Sequence, residues 1–461
     1  MKKLVLLILL ITVFIFGCKK NSFITTKDAQ INFSADTVAF DTVFVSTGSI
    51  TQQVKIYNQN NQKINLSDVK LMGGASSVFK INIDGAAVSE ANNIEINAND
   101  SIYIFVSVFI NPSSANLAFI LQDSIQVFFN GNQKYIQLQA YGQNANFLNN
   151  KEISSNTIWT NNLPYVVLGS LQIDSNATLN IQPGCKIYLH ANAPFIVNGT
   201  LQIQGQKYDS TRIYFASDRL DVPYNNFPGS WPGVIFNPSS KNNLLEFAVI
   251  NNAYQGIIAS GLSVNNNPKI ILNECIINNI YDAGVLATQS DIQARNCLIS
   301  NCGRNIVITA GGNYNFTNCT VASYSNNYMS HLQPVLNVSD YLPGNNSSFA
   351  LTANFINSIF WGDNGSVVDE VVVSTQGSSP AISFTNCLWK IKNTPAVTNT
   401  HMLNIDPMFD SVNNQTMFYN FHLKVNSPTL DSGINTSIPF DLDGNTRTVN
   451  GKTDLGCYEK Q

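Results

Sequence analysis

From Asp28 to Asn146 apolar and polar residues alternate in short runs broken by turn signals. Thr37-Val38-Ala39-Phe40, Val54-Lys55-Ile56-Tyr57, Ile102 to Val108 and Ile125 to Phe129 are rich in β-branched and aromatic residues, and Asn60-Asn61, Asn111-Pro112 and Asn130-Gly131-Asn132 interrupt them. About seven such strands over roughly 120 residues predict an immunoglobulin-like β-sandwich. After Phe147 the runs shorten. Leu171-Gln172-Ile173, Leu179-Asn180-Ile181, Ile187-Tyr188-Leu189, Phe195-Ile196-Val197 and Arg212-Ile213-Tyr214-Phe215 are too short for helices, and with no helical crossovers between them they predict a solenoid.

An internal repeat supports the solenoid. Asn273-Glu274-Cys275-Ile276-Ile277, Arg295-Asn296-Cys297-Leu298-Ile299 and Thr317-Asn318-Cys319-Thr320-Val321 follow one another at intervals of 22 residues. Weaker copies begin at Glu246, Ile356 and Thr385. A second column runs in step, with Asn251-Asn252 matching Asn278-Asn279 and Gly256-Ile257 matching Gly284-Val285. A coil of three short strands and three turns at this period fits a right-handed parallel β-helix whose coils stack at the inter-strand spacing of ~4.8 Å. Cys275, Cys297 and Cys319 are small enough to point inward and stack on one another, while Asn296 and Asn318 fit an amide ladder at a turn. A redox or metal column is the competing reading of these cysteines; buried free thiols packing as small hydrophobes is the favoured one.

Composition narrows the function classes. Only 12% of the 461 residues are charged, the hydrophobic fraction is 44%, and asparagine is about one residue in seven. Bulk disorder is excluded, since the chain has little charge and ample apolar surface to bury. A net charge of −4 gives no electrostatic case for nucleic acid or for an anionic membrane surface. Lys2 and Lys3 precede an uncharged apolar run from Leu4 to Phe16, which fits a signal-peptide core and falls short of the ~20 residues that span a bilayer.

Ile15-Phe16-Gly17-Cys18 resembles the bacterial lipobox, although Phe16 is larger than that pattern prefers. The resemblance implies acylation at Cys18 and attachment to a membrane, with more than one acyl chain giving stable anchoring. Gly48, Tyr57-Asn58, Asn99-Asp100-Ser101 and Ala140-Tyr141-Gly142 resemble the Ig-like modules of the abnormal-spindle/hydin type, which implies a spacer or interaction module. Ile181-Gln182-Pro183-Gly184, Asn198-Gly199-Thr200-Leu201 and Pro228-Gly229-Ser230-Trp231-Pro232-Gly233 resemble the opening coils of Bacteroidetes-type parallel β-helix lipoproteins. Asp406-Pro407-Met408-Phe409, Ser427-Pro428-Thr429-Leu430-Asp431 and Asp454-Leu455-Gly456-Cys457-Tyr458-Glu459 resemble the choice-of-anchor-Q ending of exported β-helix proteins, with Cys457 where that pattern usually has Ala. The expected organisation is a lipoprotein signal peptide (1–17), a tether (18–27), the Ig-like sandwich (28–146), the β-helix (147–403), and C-terminal coils with a cap (404–461). The expected site is the cell envelope, at the outer membrane, with the side it faces left open.

Candidate chemistry is sparse. Between Lys241 and Ser330 the only acids are Glu246, Glu274, Asp282 and Asp291. Asp282 and Arg304 are 22 residues apart and should sit side by side on adjacent coils, as a surface ion pair or, less readily, as an acid/base pair. Asp441, Asp443 and Asn445 place oxygens at alternate positions beside Gly444, as a calcium loop begins, yet no bidentate Glu follows; a turn closing the C-terminal end of the solenoid is the better reading. The four histidines and seven remaining cysteines show no zinc spacing, and no cofactor is expected. Tyr224, Phe227 and Trp231 in one insertion, and Tyr328 and His331 in another, are the best ligand-binding candidates, because exposed aromatics beside amides suit sugar rings; aromatics packed down onto the helix flank are the alternative. These readings favour a non-catalytic, lipid-anchored protein binding carbohydrate or another envelope partner over a polysaccharide lyase or hydrolase.

Overall fold

The computed structural model describes residues 22–44, 48–110, 119–342, 344, 347–363, 365–377, 380–449 and 451–461. Cys18, the apolar run before it and the Asn111-Pro112 turn lie outside the described residues. The chain is nearly all β, with 52% strand and 1% helix, and it divides into two compact units at Asn144 and Ala145.

The first unit is a sandwich. Ile31–Phe33, Gln52–Asn58, Ser101–Val108 and Phe79–Ile83 form one sheet in that order; Thr37–Phe44, Asn132–Gln143, Phe119–Phe129, Ile64–Leu71 and Glu90–Ile96 form the other. Period-2 alternation sets its core: in Ser101–Val108 the side chains of Ile102, Ile104, Val106 and Val108 are buried, while Tyr103 and Phe105 face outward. Phe119–Phe129 and Asn132–Gln143 are joined by Asn130 and Gly131, both at positive φ (45° and 77°), as a type I′ hairpin requires.

The second unit is a parallel β-helix, in which 25 strands of the described residues share one continuous sheet that wraps through three flanks. The first flank includes Val234–Phe236, Gln255–Ser260, 283–288 and 304–309; the second includes Ile270–Asn273, 290–295, 312–317 and Leu351–Ile356; the third includes Ile276–Asn278, Leu298–Ser300, Thr320–Ser323 and Ile359–Gly362. Strand pairing places Asn273, Arg295, Thr317, Ile356 and Thr385 side by side, which is the register of the sequence repeat. Inward residues stack in columns. Phe316, Phe355 and Phe384 lie at 5.6 and 4.7 Å between ring centroids with nearly parallel planes. Cys275, Cys297 and Cys319 are fully buried in one such column, each thiol donating to a backbone carbonyl. Burial pushes the Cys275 and Cys319 thiols well above the ordinary range, so they pack as apolar groups.

The turn between the second and third flanks repeats one backbone conformation. Phe247, Glu274, Asn296, Asn318, Asn357 and Asn386 all have φ between 48° and 54°. Asparagine tolerates this left-handed region better than other residues with a side chain, which explains its recurrence in the repeat. Asn357 Nδ2 donates to Asn318 Oδ1 (3.0 Å), and Asn296 Nδ2 donates to Glu274 Oε1 (2.9 Å).

The C-terminal cap is lateral. Phe409–Asn413 pairs with Phe418–Leu423, and Phe409, Phe421, Leu423, Leu442, Leu455 and Cys457 pack on Leu298, Ala322, Ile359, Trp361 and Leu388 of the third flank. The tail then runs along the amide ladder: Asn386 Nδ2 donates to Ser432 O (2.7 Å), Asn357 Nδ2 to Ile434 O (2.7 Å), Asn318 Nδ2 to Thr436 Oγ1 (3.2 Å) and Asn296 Nδ2 to Phe440 O (2.8 Å). This corrects the expected place of the Asp441–Asn445 turn. It does not close the C-terminal end but lies against much earlier coils, where Arg212 Nη2 donates to Leu442 O (2.8 Å). The apolar outer surface of the third flank needs covering, and each ladder amide has a spare N–H to satisfy.

Candidate functional site

The turn from the third flank to the first carries its own left-handed asparagines, Asn252, Asn279 and Asn301. The insertion 218–231 lies over the first two. Asn252 Nδ2 donates to Asn225 O (2.7 Å), Asn279 Nδ2 donates to Asn226 O (2.8 Å), and Ser230 N donates to Asn252 O (2.8 Å). Trp231, expected as an exposed binding residue, is fully buried, bridges to Ala253 and donates Nε1–H to Asn251 O (2.8 Å). Its ring fills the solenoid interior and offers no face to a ligand. Phe227 touches Tyr224 (5.0 Å between centroids) and Tyr328 (4.9 Å), so the two insertions meet through their aromatics. The Arg219 guanidinium, held by Asp221, lies 4.1 Å from the Tyr224 ring centroid. His331 is turned inward onto the buried Glu370, at 2.9 Å.

Immediately beside this insertion is an exposed aromatic pair. Tyr254 and Tyr281 follow Asn252 and Asn279 by two residues each, are 48% and 53% exposed, and stack at 5.4 Å with planes 25° apart. The next residue in each coil supplies polar groups. Asp282 Oδ1 accepts Arg304 Nε (3.1 Å), and Asp282 Oδ2 accepts Gln255 Nε2 (2.7 Å). The expected Asp282–Arg304 pair therefore exists as a bridge between adjacent coils, balanced in charge and flanking the Tyr281 ring. The arrangement can stack one face of a ring and hydrogen-bond its rim with donors and acceptors already held in place. Sequence reasoning missed these tyrosines; their equal offset from two matched asparagines was the available signal.

Carboxylates gather elsewhere. Glu246, Glu274, Arg295 and Lys207 line a cleft of about 420 Å³ between the second-flank turn and Phe440 of the tail. Glu274 occupies the asparagine position of the repeat. Burial raises its carboxyl to about 7, against the opposing hydrogen bond from Asn296 and the nearby Arg295 guanidinium (3.4 Å). The cleft holds two carboxylates. Among the described residues no group of three or more His, Cys, Asp or Glu side chains is placed to hold a metal ion. In the weak calcium-loop candidate, Asp441 accepts the backbone N–H groups of Asp443, Asn445 and Glu459, and Asp443 pairs with His422 Nε2 (2.7 Å), so both carboxylates are engaged within the protein.

No family model matches the chain, and no curated protein is similar to it. Solved structures bear a slight likeness to parts of the chain, two of them as follows. A family 123 glycoside hydrolase from Clostridium perfringens is 11% identical with a TM-score of 0.20, covering 29% of this chain and 30% of that one. A PapD-like domain of human CEP192 is 7% identical with a TM-score of 0.17, covering 28% of this chain and 90% of that domain. The match thus spans less than a third of the hydrolase, and likenesses at this level assign no activity to the chain.

Proposed function

We propose that this is a lipid-anchored protein of the cell envelope, held at the outer membrane through Cys18, whose β-helix binds carbohydrate. The observation that carries the reading is the exposed Tyr254–Tyr281 pair beside the Gln255–Asp282–Arg304 bridge. A pyranose presents one C–H-rich face, which stacks on an aromatic ring, and a rim of hydroxyls, which pair with a carboxylate and a guanidinium; neither contact calls for charge on the ligand. Tyr224, at the edge of the neighbouring insertion, extends the aromatic surface, whereas Phe227 and Trp231 hold that insertion down.

The test is binding of the purified protein to an array of neutral glycans, repeated with Tyr281→Ala and Tyr254→Ala. Loss of about tenfold in affinity with an unchanged melting temperature is the expected result. Retention of wild-type binding by the double variant would overturn this site. For the anchor, Cys18→Ser should move the protein from the membrane pellet to the soluble fraction. A second reading, polysaccharide hydrolysis, draws on one observation, the Glu246–Glu274 cleft with its raised carboxyl; release of reducing ends from a polysaccharide, lost in Glu274→Gln, would establish it.

A further inference from the structure

The second flank carries a groove on a different face of the coils from the tyrosine pair, which sits at the turn from the third flank to the first. It has a volume of about 490 Å³ and is floored by three successive coils. Strand pairing sets Gln293, Asn315 and Asn354 in one outward row and Asp291, Asn313 and Thr352 in a second, parallel row. A wall rises from the preceding coil at 262–268. Asn265 Nδ2 and Asn267 Nδ2 both donate to Asn242 Oδ1 (3.0 Å each), and Ser263 N donates to Asp291, so the wall is braced before any ligand arrives.

Among the described residues that line the groove, Asp291 is the only charged one. It is 8% exposed, and both its oxygens are engaged, one by Ser263 N and the other by Asn313 Nδ2 (2.6 Å). What the floor presents is amide and hydroxyl. Asn315 Oδ1 and Asn354 Oδ1 accept bonds from Thr317 and Ser383 within the protein, which fixes the two amide planes and turns each Nδ2 to the remaining side. Polar groups of this kind recur at the inter-strand spacing of ~4.8 Å along the solenoid axis.

We infer that this groove is a second binding site, for an extended, uncharged polysaccharide chain lying along the solenoid axis with about one sugar per coil. An extended β-1,4-linked pyranose chain advances by nearly the same distance per sugar as the solenoid does per coil, so successive sugars can each meet one polar pair of the floor: Asp291 and Gln293, Asn313 and Asn315, or Thr352 and Asn354. Fixed amides supply both donors and acceptors to hydroxyls, and a groove whose one charge among the described lining residues is a buried carboxylate offers an acidic polymer no counter-charge. The inference rests on the carbohydrate reading above and adds to it the chain's charge, its extension and a second face.

The experiment is titration of the full-length protein with cello- and xylo-oligosaccharides of one to six sugars, for the wild type, Asn315→Ala/Asn354→Ala and Tyr254→Ala/Tyr281→Ala. Affinity should rise with chain length up to about three sugars and then level, because three coils floor the groove. The asparagine double variant should weaken the longer chains by about tenfold or more and leave the monosaccharide unaffected. The tyrosine variant should leave this length dependence in place. Affinity independent of length, or full wild-type binding of long chains by the asparagine variant, overturns the groove while sparing the tyrosine site. If the wild type binds long chains and the tyrosine variant alone abolishes it, the groove is again excluded. If the wild type binds neither series nor any glycan of the array, both readings fall.

Discussion

Replacing Asn357 with Ala tests how the tail is fastened to the solenoid. Asn357 is fully buried; its Nδ2 donates to Asn318 Oδ1 (3.0 Å) and Ile434 O (2.7 Å), and its Oδ1 accepts Ile434 N (3.0 Å). Alanine removes all three bonds. The groups abandoned inside the ladder cost about 1–3 kcal/mol each where water cannot replace the partner, and Ile434, which is partly exposed, recovers some of this from solvent. Alanine must also take up φ near 49°, at about 1 kcal/mol or more. The sum is on the order of 4 kcal/mol, concentrated where the tail docks. Hydrogen exchange at the Ile434 amide should accelerate by about a thousandfold, and the urea midpoint should fall. Asn357→Gly loses the same bonds without the backbone strain and should be about 1 kcal/mol less damaging. If the Ile434 amide exchanges no faster in Asn357→Ala, or if the glycine and alanine variants are equally stable, the argument from the ladder geometry is refuted.

Cys297→Ala should cost about 1 kcal/mol in urea denaturation, whereas Cys297→Arg, which forces an unpaired charge into the stacked column, should prevent folding or cost several kcal/mol. Trp231→Ala should destabilise the protein by about 3–5 kcal/mol, read from its thermal midpoint, because it empties a fully buried position of the solenoid interior. The Glu274 carboxyl, raised by burial from 4.5 to about 7, holds its proton more tightly in the folded state, so its contribution is complete below pH about 4.5 and lost as pH climbs through about 7. Relative to Glu274→Gln, the wild type should therefore lose on the order of 3 kcal/mol between pH 4 and pH 8, and a constant difference across that range would contradict the assignment.

The coil register was legible because the repeat is chemically strict. Cys275, Cys297 and Cys319 sit where only a small side chain fits between neighbouring coils, and Asn296 and Asn318 sit where the backbone is left-handed, so sequence and geometry share one constraint. The Asp282–Arg304 pair followed from that register alone. Trp231 was misread because Ser230-Trp231-Pro232-Gly233 has the composition of a loop, while the position itself is an interior one, shared with Ala253. The course of the tail could not be read. Ser432, Ile434 and Phe440 are held through backbone carbonyls, which any residue supplies, so their partners leave no trace in residue identity. The groove was hidden for a related reason: its floor is built from coils whose outward residues are ordinary amides, and only the pairing of strands shows that Gln293, Asn315 and Asn354 align.

A solenoid is stabilised by contacts between adjacent coils and can fray from either end, one coil at a time. The tail changes that statistical behaviour. By tying together turns as far apart in sequence as Asn296 and Asn386, it makes the opening of a late coil costly to earlier ones, so that the central coils should melt as a block instead of unzipping. It also sets an order of assembly. The tail has nothing to dock on until several ladder turns exist, so during synthesis the coils must stack first and the tail, made after them, locks what precedes it.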